Sequence, residues 1–192
     1  LYDECRGLTV DEAGNIYLTG LSSSEYGFPV TPGVYFTGSG GAFSTKMNAS
    51  GTAILFSTFI SGFGSRGIKV DAKGNIFVAG SSIYVSNNPK FPITPGAYRP
   101  DFIGDDENLY AAKLNSLGDS LLYGACIGGS ADDRAQFMDI DSEGNVCIAG
   151  YTNSRDYPVT PNALQKNHTG SSLHVCKLSA EGNRLLYATY FG

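Results

Sequence analysis

The apolar residues of this chain fall in short runs, each closed by a cluster of Gly, Asn, Asp or Ser. The first third carries four such runs: A at about Leu8–Val10, B at Ile16–Gly20, C at Ala42–Met47 and D at Ile54–Ile60. Runs of this length, rich in Ile, Val, Phe and Tyr, predict strands. No apolar pattern of helical period persists, so the chain reads as all-β. Within B, the stretches Ile16–Leu18, Ile76–Val78 and Val146–Ile148 have no polar alternate, and strands of that kind are expected to be buried on both faces. The turn before each B run is the same. Asp11 to Gly14, Asp71 to Gly74 and Asp141 to Gly144 place Asp first and Gly fourth, which suits a type I turn whose Asp side chain bonds the backbone. Asn48–Gly51, Asn115–Gly118 and Ser179–Gly182 repeat that chemistry between C and D, so A–B and C–D are tight hairpins.

The whole set of runs occurs three times in one order. Phe28-Pro-Val-Thr-Pro-Gly33 returns as Phe91-Pro-Ile-Thr-Pro-Gly96 and Tyr157-Pro-Val-Thr-Pro-Asn162, and Ser44-Thr-Lys-Met-Asn48 returns as Ala111-Ala-Lys-Leu-Asn115 and Val175-Cys-Lys-Leu-Ser179. A repeating four-stranded antiparallel sheet fits a β-propeller blade, stacked face to face with its neighbours. A β-sandwich would show alternation instead. The chain is read as a single segment, residues 1–192, of three blades: about 6–62, 66–129 and 134–192. Known propellers run from about four to eight blades. Three blades therefore leave an open segment, expected to belong to a larger propeller or to be completed by association. The start at Leu1 and the stop at Gly192 inside a motif suggest a piece of something longer.

The phrases Gly-[Leu/Ile]-x-Val-Asp-x-x-Gly-Asn-Ile, Phe-Pro-[Val/Ile]-Thr-Pro-Gly and Ala-Lys-Leu-Asn resemble the SBBP β-propeller repeat family across nearly the whole chain. The resemblance implies a bacterial secreted or cell-surface protein. The third copy departs from it, with Asn162 and Leu164 in place of Gly and Tyr, and Phe137 in place of Gly7 or Gly67.

Alternating strand direction places the A–B and C–D turns at one end of the blades and the B–C and D–A loops at the other. The B–C loops are long, at about 21–41, 81–108 and 151–172, and ordered loops of that length are usually functional. Their two prolines predict extended, stiff segments. A net charge of −5 gives no basic footprint for nucleic acid. No apolar run reaches a membrane span, and no signal peptide is visible.

Catalytic signatures are missing. His168 and His174 stand in no triad or metal spacing, and His174 reads as a packing residue on strand C. Cys5, Cys126, Cys147 and Cys176 contain no CxxC pair; the last three occupy core-like positions and read as free thiols, with a disulfide between neighbouring strands as the alternative. Lys46, Lys113 and Lys177 share one position on strand C and read as stems packed on the blade. Asp105, Asp106 and Glu107 in the second B–C loop, and Asp132 and Asp133 in a D–A loop, are solvated acidic clusters or Ca²⁺ ligands. No other cofactor is expected.

The aromatics of the B–C loops divide into two groups. Tyr35 and Tyr98 sit at equivalent positions and are expected to plug the gaps between blades. Tyr26, Tyr84 and Phe102 have no counterpart in the other copies. Together with Asp105, Asp106 and Glu107 they form the candidate site for a protein or glycan partner. The sequence thus points to a non-enzymatic scaffold or binding module, with two rivals: a carbohydrate-active enzyme using loop carboxylates as acid and base, and a structural subunit of a larger extracellular assembly.

Overall fold

A computed structural model describes residues 2–24, 27–36, 38, 40–60, 64–83, 93–98 and 106–192, without the side chain of Ile83. β1 (Asp3–Val10), β2 (Ile16–Ser22), β3 (Gly41–Met47) and β4 (Ile54–Phe59) form one antiparallel sheet in that order. β5 (Ser65–Val70), β6 (Ile76–Ile83), β7 (Glu107–Leu114) and β8 (Leu121–Ile127) form the second, and β9 (Asp133–Ile140), β10 (Val146–Thr152), β11 (Ser172–Leu178) and β12 (Leu185–Phe191) the third. The sheets are three blades of an open, all-β propeller segment. β5 packs against β1 on one side and β9 on the other, so the A strands lie innermost and the D strands form the rim.

The A strands are longer than their apolar cores suggest, because each passes through a β-bulge. The register shifts between Cys5 and Gly7, between Ser65 and Gly67, and opposite Ala149 and Gly150. A bulge brings extra backbone towards its partner strand. The glycine closing each B phrase sits there. A Cβ on Gly20 or Gly150 would lie 1.8 Å from the carbonyl oxygen of Glu4 or Arg134, and one on Gly80 would lie 2.7 Å from that of Gly64.

The Thr-Pro landmark covers the rim, where an unpaired edge strand would otherwise be open to other chains. Thr31 N–H donates to Ser57 O at 3.1 Å, and Ser57 N–H donates back to Thr31 Oγ1 at 3.0 Å. Thr94 and Gly124, then Thr160 and Ala188, repeat the exchange. A few residues on, Tyr35 N–H donates to Gly118 O at 2.9 Å and Tyr98 N–H to Gly182 O at 2.8 Å. Both acceptors lie in the C–D turn of the following blade. The described part of each of these two loops is therefore wedged between blades at the rim instead of standing free at one end. This matches the expectation for Tyr35 and Tyr98. The rings of Phe56 and Tyr123 press on the same turn glycines: a Cβ on Gly118 or Gly182 would come within 2.6 or 2.5 Å of them.

Two apolar clusters fill the two gaps between blades. Tyr17, Phe56 and Ile60 meet Ile68, Ile76 and Leu114 in one; Phe77, Leu109 and Ile127 meet Ile148, Leu178 and Tyr190 in the other. The expectation that every B strand is buried on both faces needs correction. β6 is buried at every residue from Ile76 to Ser82, whereas β2 and β10 are buried only in part. Only the middle blade has a neighbour on each side. Equivalent positions show the same asymmetry. Leu109 and Ile127 are fully buried, while Leu173 and Phe191 on the third blade are 54% and 55% exposed. On the opposite side of the stack, Ile68 is 2% exposed and its first-blade counterpart Leu8 is 62% exposed.

Candidate functional site

The loop end of the blades holds Asp106, Glu107, Asp132 and Asp133 among the acidic residues singled out from the sequence. Tyr26, Tyr84, Phe102 and Asp105 lie outside the described residues. Asp106 leads into β7, where its carbonyl accepts from Asn108 Nδ2 at 3.1 Å. Glu107 opens β7 and meets Asp132 from the other loop. The Glu107 N–H donates to Asp132 Oδ1 at 3.2 Å, and Arg134 serves both carboxylates, with Nε 2.5 Å from Glu107 Oε2 and Nη2 3.6 Å from Asp132 Oδ2. The Arg134 N–H is not directed at Glu107, so the closer contact is an ion pair more than a hydrogen bond. Burial pushes the Glu107 carboxyl up from its ordinary range, against the pull of Arg134.

Asp132 and Asp133 do not act as one loop cluster. Successive side chains of an extended chain point to opposite sides, and Asp133 is fully buried. It accepts from Gly129 N–H at 2.6 Å and from Ser154 Oγ at 2.8 Å, and burial pushes its carboxyl up. Asp3 does the same in the first blade, taking Ser22 Oγ at 2.6 Å and Ser24 Oγ at 3.0 Å. This Asp–Ser corner, with its carboxylate buried at Asp133 and exposed at Asp3, was not anticipated, although its signal is visible: an Asp opening the A strand and a hydroxyl pair closing the B strand, in two copies of three. Among the described residues, no three His, Cys, Asp or Glu side chains gather closely enough to hold a metal ion.

The opposite end is closed by its own hydrogen bonds. Asp11 accepts from Asn15 N–H at 2.8 Å and from Asn15 Nδ2 at 2.9 Å, and Asp71 with Asn75 and Asp141 with Asn145 repeat the pair. Gly14, Gly74 and Gly144 take φ of 80°, 79° and 82°, which glycine adopts without steric cost. The recurrent lysines serve these turns. Lys46 and Lys177 reach Asp11 and Asp141 at 3.6 and 2.6 Å, and Lys113 lies over the Phe77 ring. Lys177, with Asn145, holds the Asp141 carboxyl well below the usual range.

The histidines pack as side chains of the third blade. His174 is fully buried, its Nδ1 3.0 Å from Tyr157 Oη and its Nε2 3.1 Å from the Arg134 carbonyl. Desolvation brings its pKa down to about 4. His168 Nε2 lies 2.9 Å from Ser154 O. All four cysteines are free thiols; Cys126 and Cys176 are buried, Cys147 is half-buried and Cys5 is exposed. Burial pushes the Cys176 thiol up to about 12, which makes it a poor nucleophile.

Residues 1–29 match the SBBP family, a beta-propeller repeat. No curated protein matches the chain significantly. The chain is a β-propeller segment whose first 29 residues match that repeat. No helix among the described residues is long and apolar enough to cross a membrane.

Proposed function

We propose that the chain is a non-enzymatic scaffold or binding module of a bacterial cell-surface or secreted protein, taking a protein or glycan at the B–C loop end. The observation that carries this reading is the contrast between the two ends of the blades. In all three copies the A–B turn satisfies itself through the same Asp–Asn pair. The loop end carries sequence that differs from copy to copy, including the charged Glu107, Asp132 and Arg134. Divergent loops on a uniform scaffold are where binding residues concentrate. Tyr84, Phe102 and Tyr26 are the proposed apolar anchors, with Asp105, Asp106 and Glu107 at the rim.

One observation favours the rival reading of carbohydrate hydrolysis. Glu107 has a raised pKa beside Asp132, as an acid and base pair would. Against it, Arg134 engages both carboxylates, which ties them up as an ion-pair network.

A glycan array and a pull-down from cell-surface extract test the binding role. Tyr84→Ala with Phe102→Ala is expected to weaken the captured interaction at least tenfold, with the melting temperature nearly unchanged. Unfolding of the double variant would make the rings core and remove the site. Glycoside turnover lost on Glu107→Gln would favour the enzyme instead.

The open faces bear on partners. Leu173 and Phe191 on one side and Leu8 on the other occupy positions that an adjacent blade buries elsewhere in the chain. Further blades of the same protein, or a second copy, are the proposed cover.

A further inference from the structure

Three arginines from three blades meet beside the innermost strands. Arg6 of β1, Arg66 of β5 and Arg134 of β9 line a cavity of about 270 Å³, together with Glu107, Ser81, Gly64, Leu21 and Ala135. Arg6 is held through its Nε by Glu4 Oε2 at 2.6 Å. Its terminal nitrogens extend across the gap onto the second blade: a Cβ on Gly64 would lie 2.6 Å from Arg6 Nη1. Arg134 is held by Glu107 at its Nε. Two guanidinium groups are thus fixed from behind, and Arg66, exposed, makes no ion pair among the described residues. Guanidinium forks match the planar geometry of a carboxylate. Leu21 and Ala135 supply an apolar wall, as ligand pockets require.

We propose that this cavity binds a small carboxylate-bearing ligand, with the carboxylate on Arg66 and the terminal nitrogens of Arg6. Charge decides between anions. Arg6 and Arg134 already face Glu4, Glu107 and Asp132, so a monoanion seated on Arg66 adds one negative charge to a cluster of three guanidinium groups and three carboxylates. A phosphate dianion would add two, next to the partly desolvated Glu107, at a higher Coulomb cost. The proposal does not rest on Tyr84 or Phe102, and each reading can fail without the other.

Glucuronate, a carboxylate with hydroxyls, serves as the probe, with glucose and inorganic phosphate as controls, titrated at low salt and followed by NMR shifts. Glucuronate is expected to bind saturably in the millimolar range, and Arg66→Gln to weaken it at least tenfold without lowering the melting temperature. Neither control is expected to saturate. Absence of saturable glucuronate binding, equal binding to Arg66→Gln, or phosphate binding as tightly as glucuronate would overturn the proposal.

Discussion

Replacing Tyr157 and His174 together by phenylalanine is expected to remove an acid-dependent loss of stability of about 3 kcal/mol between pH 7.5 and pH 4. His174 is buried and neutral, with a folded pKa of about 4 against an unfolded value of about 6.5. Below the unfolded pKa, the unfolded chain takes up a proton that the folded chain refuses. The contribution of His174 is therefore fully present above pH 6.5, is lost as pH falls towards 4, and changes no further below that. Asp133, its carboxyl raised by burial, works in the opposite sense, so the difference between wild type and variant isolates the histidine. The first blade shows that the replacement fits. Phe28 and Phe43 occupy the same two positions with ring centroids 4.8 Å apart, and Tyr157 and His174 are also 4.8 Å apart. The Tyr157 and His174 groups that bond each other leave together, which is close to neutral when the apolar shapes match, and the loss of the His174 contact to the Arg134 carbonyl adds a cost that does not depend on pH. Urea unfolding at the two pH values reads the effect. An unchanged pH dependence in the variant would show that His174 is not the acid-sensitive group.

Gly150→Ala should destabilise the fold by about 3 kcal/mol or more, at or beyond the upper end of ordinary overpacking. Its new Cβ would meet the Arg134 carbonyl oxygen at 1.8 Å. That atom belongs to a bulged strand paired with β10 and packed against the second blade, so it has little room to retreat. Gly33→Ala makes a useful comparison. Gly33 has φ +76° and nothing within 4 Å of its ideal Cβ, so the cost there is only the left-handed backbone, about 1–2 kcal/mol. Equilibrium unfolding of the two variants should rank Gly150→Ala as clearly the worse. The reverse order would mean that the bulge is soft and that the B-phrase glycine has another role.

Much of the fold was legible because each repeat states its turns. The Asp–Gly spacing, the Thr-Pro landmark and the doubly apolar B phrase each report a local constraint, and all three copies agree. The A strands were read short because their first halves are polar: Asp3, Glu4 and Arg6 sit there to make a corner and an ion pair. Double burial was over-extended to β2 and β10, since a strand's own pattern carries the faces it was built for, not the neighbours present beside it. At the loop end, proximity in sequence misled. Asp132 and Asp133 are adjacent yet serve different partners, and Arg134, which ties Asp132 to Glu107, stood out by no motif. The wedge formed by Tyr35 and Tyr98 was readable from their equivalence, while the landmark threonine's exchange with strand D depends on contacts that no spacing reveals.

Sedimentation velocity of the 192-residue chain tests most directly whether each blade needs a neighbour on both broad faces. At tens of micromolar, the chain is expected to sediment as a species heavier than the 20.3 kDa monomer, through the faces that carry Leu8 on one side and Leu173 and Phe191 on the other. Leu173→Asp with Phe191→Asp should return it to monomer with an unchanged circular dichroism spectrum, because both side chains are already half exposed. A wild-type chain that stays a 20.3 kDa monomer at every concentration would contradict the need for a cover on those faces.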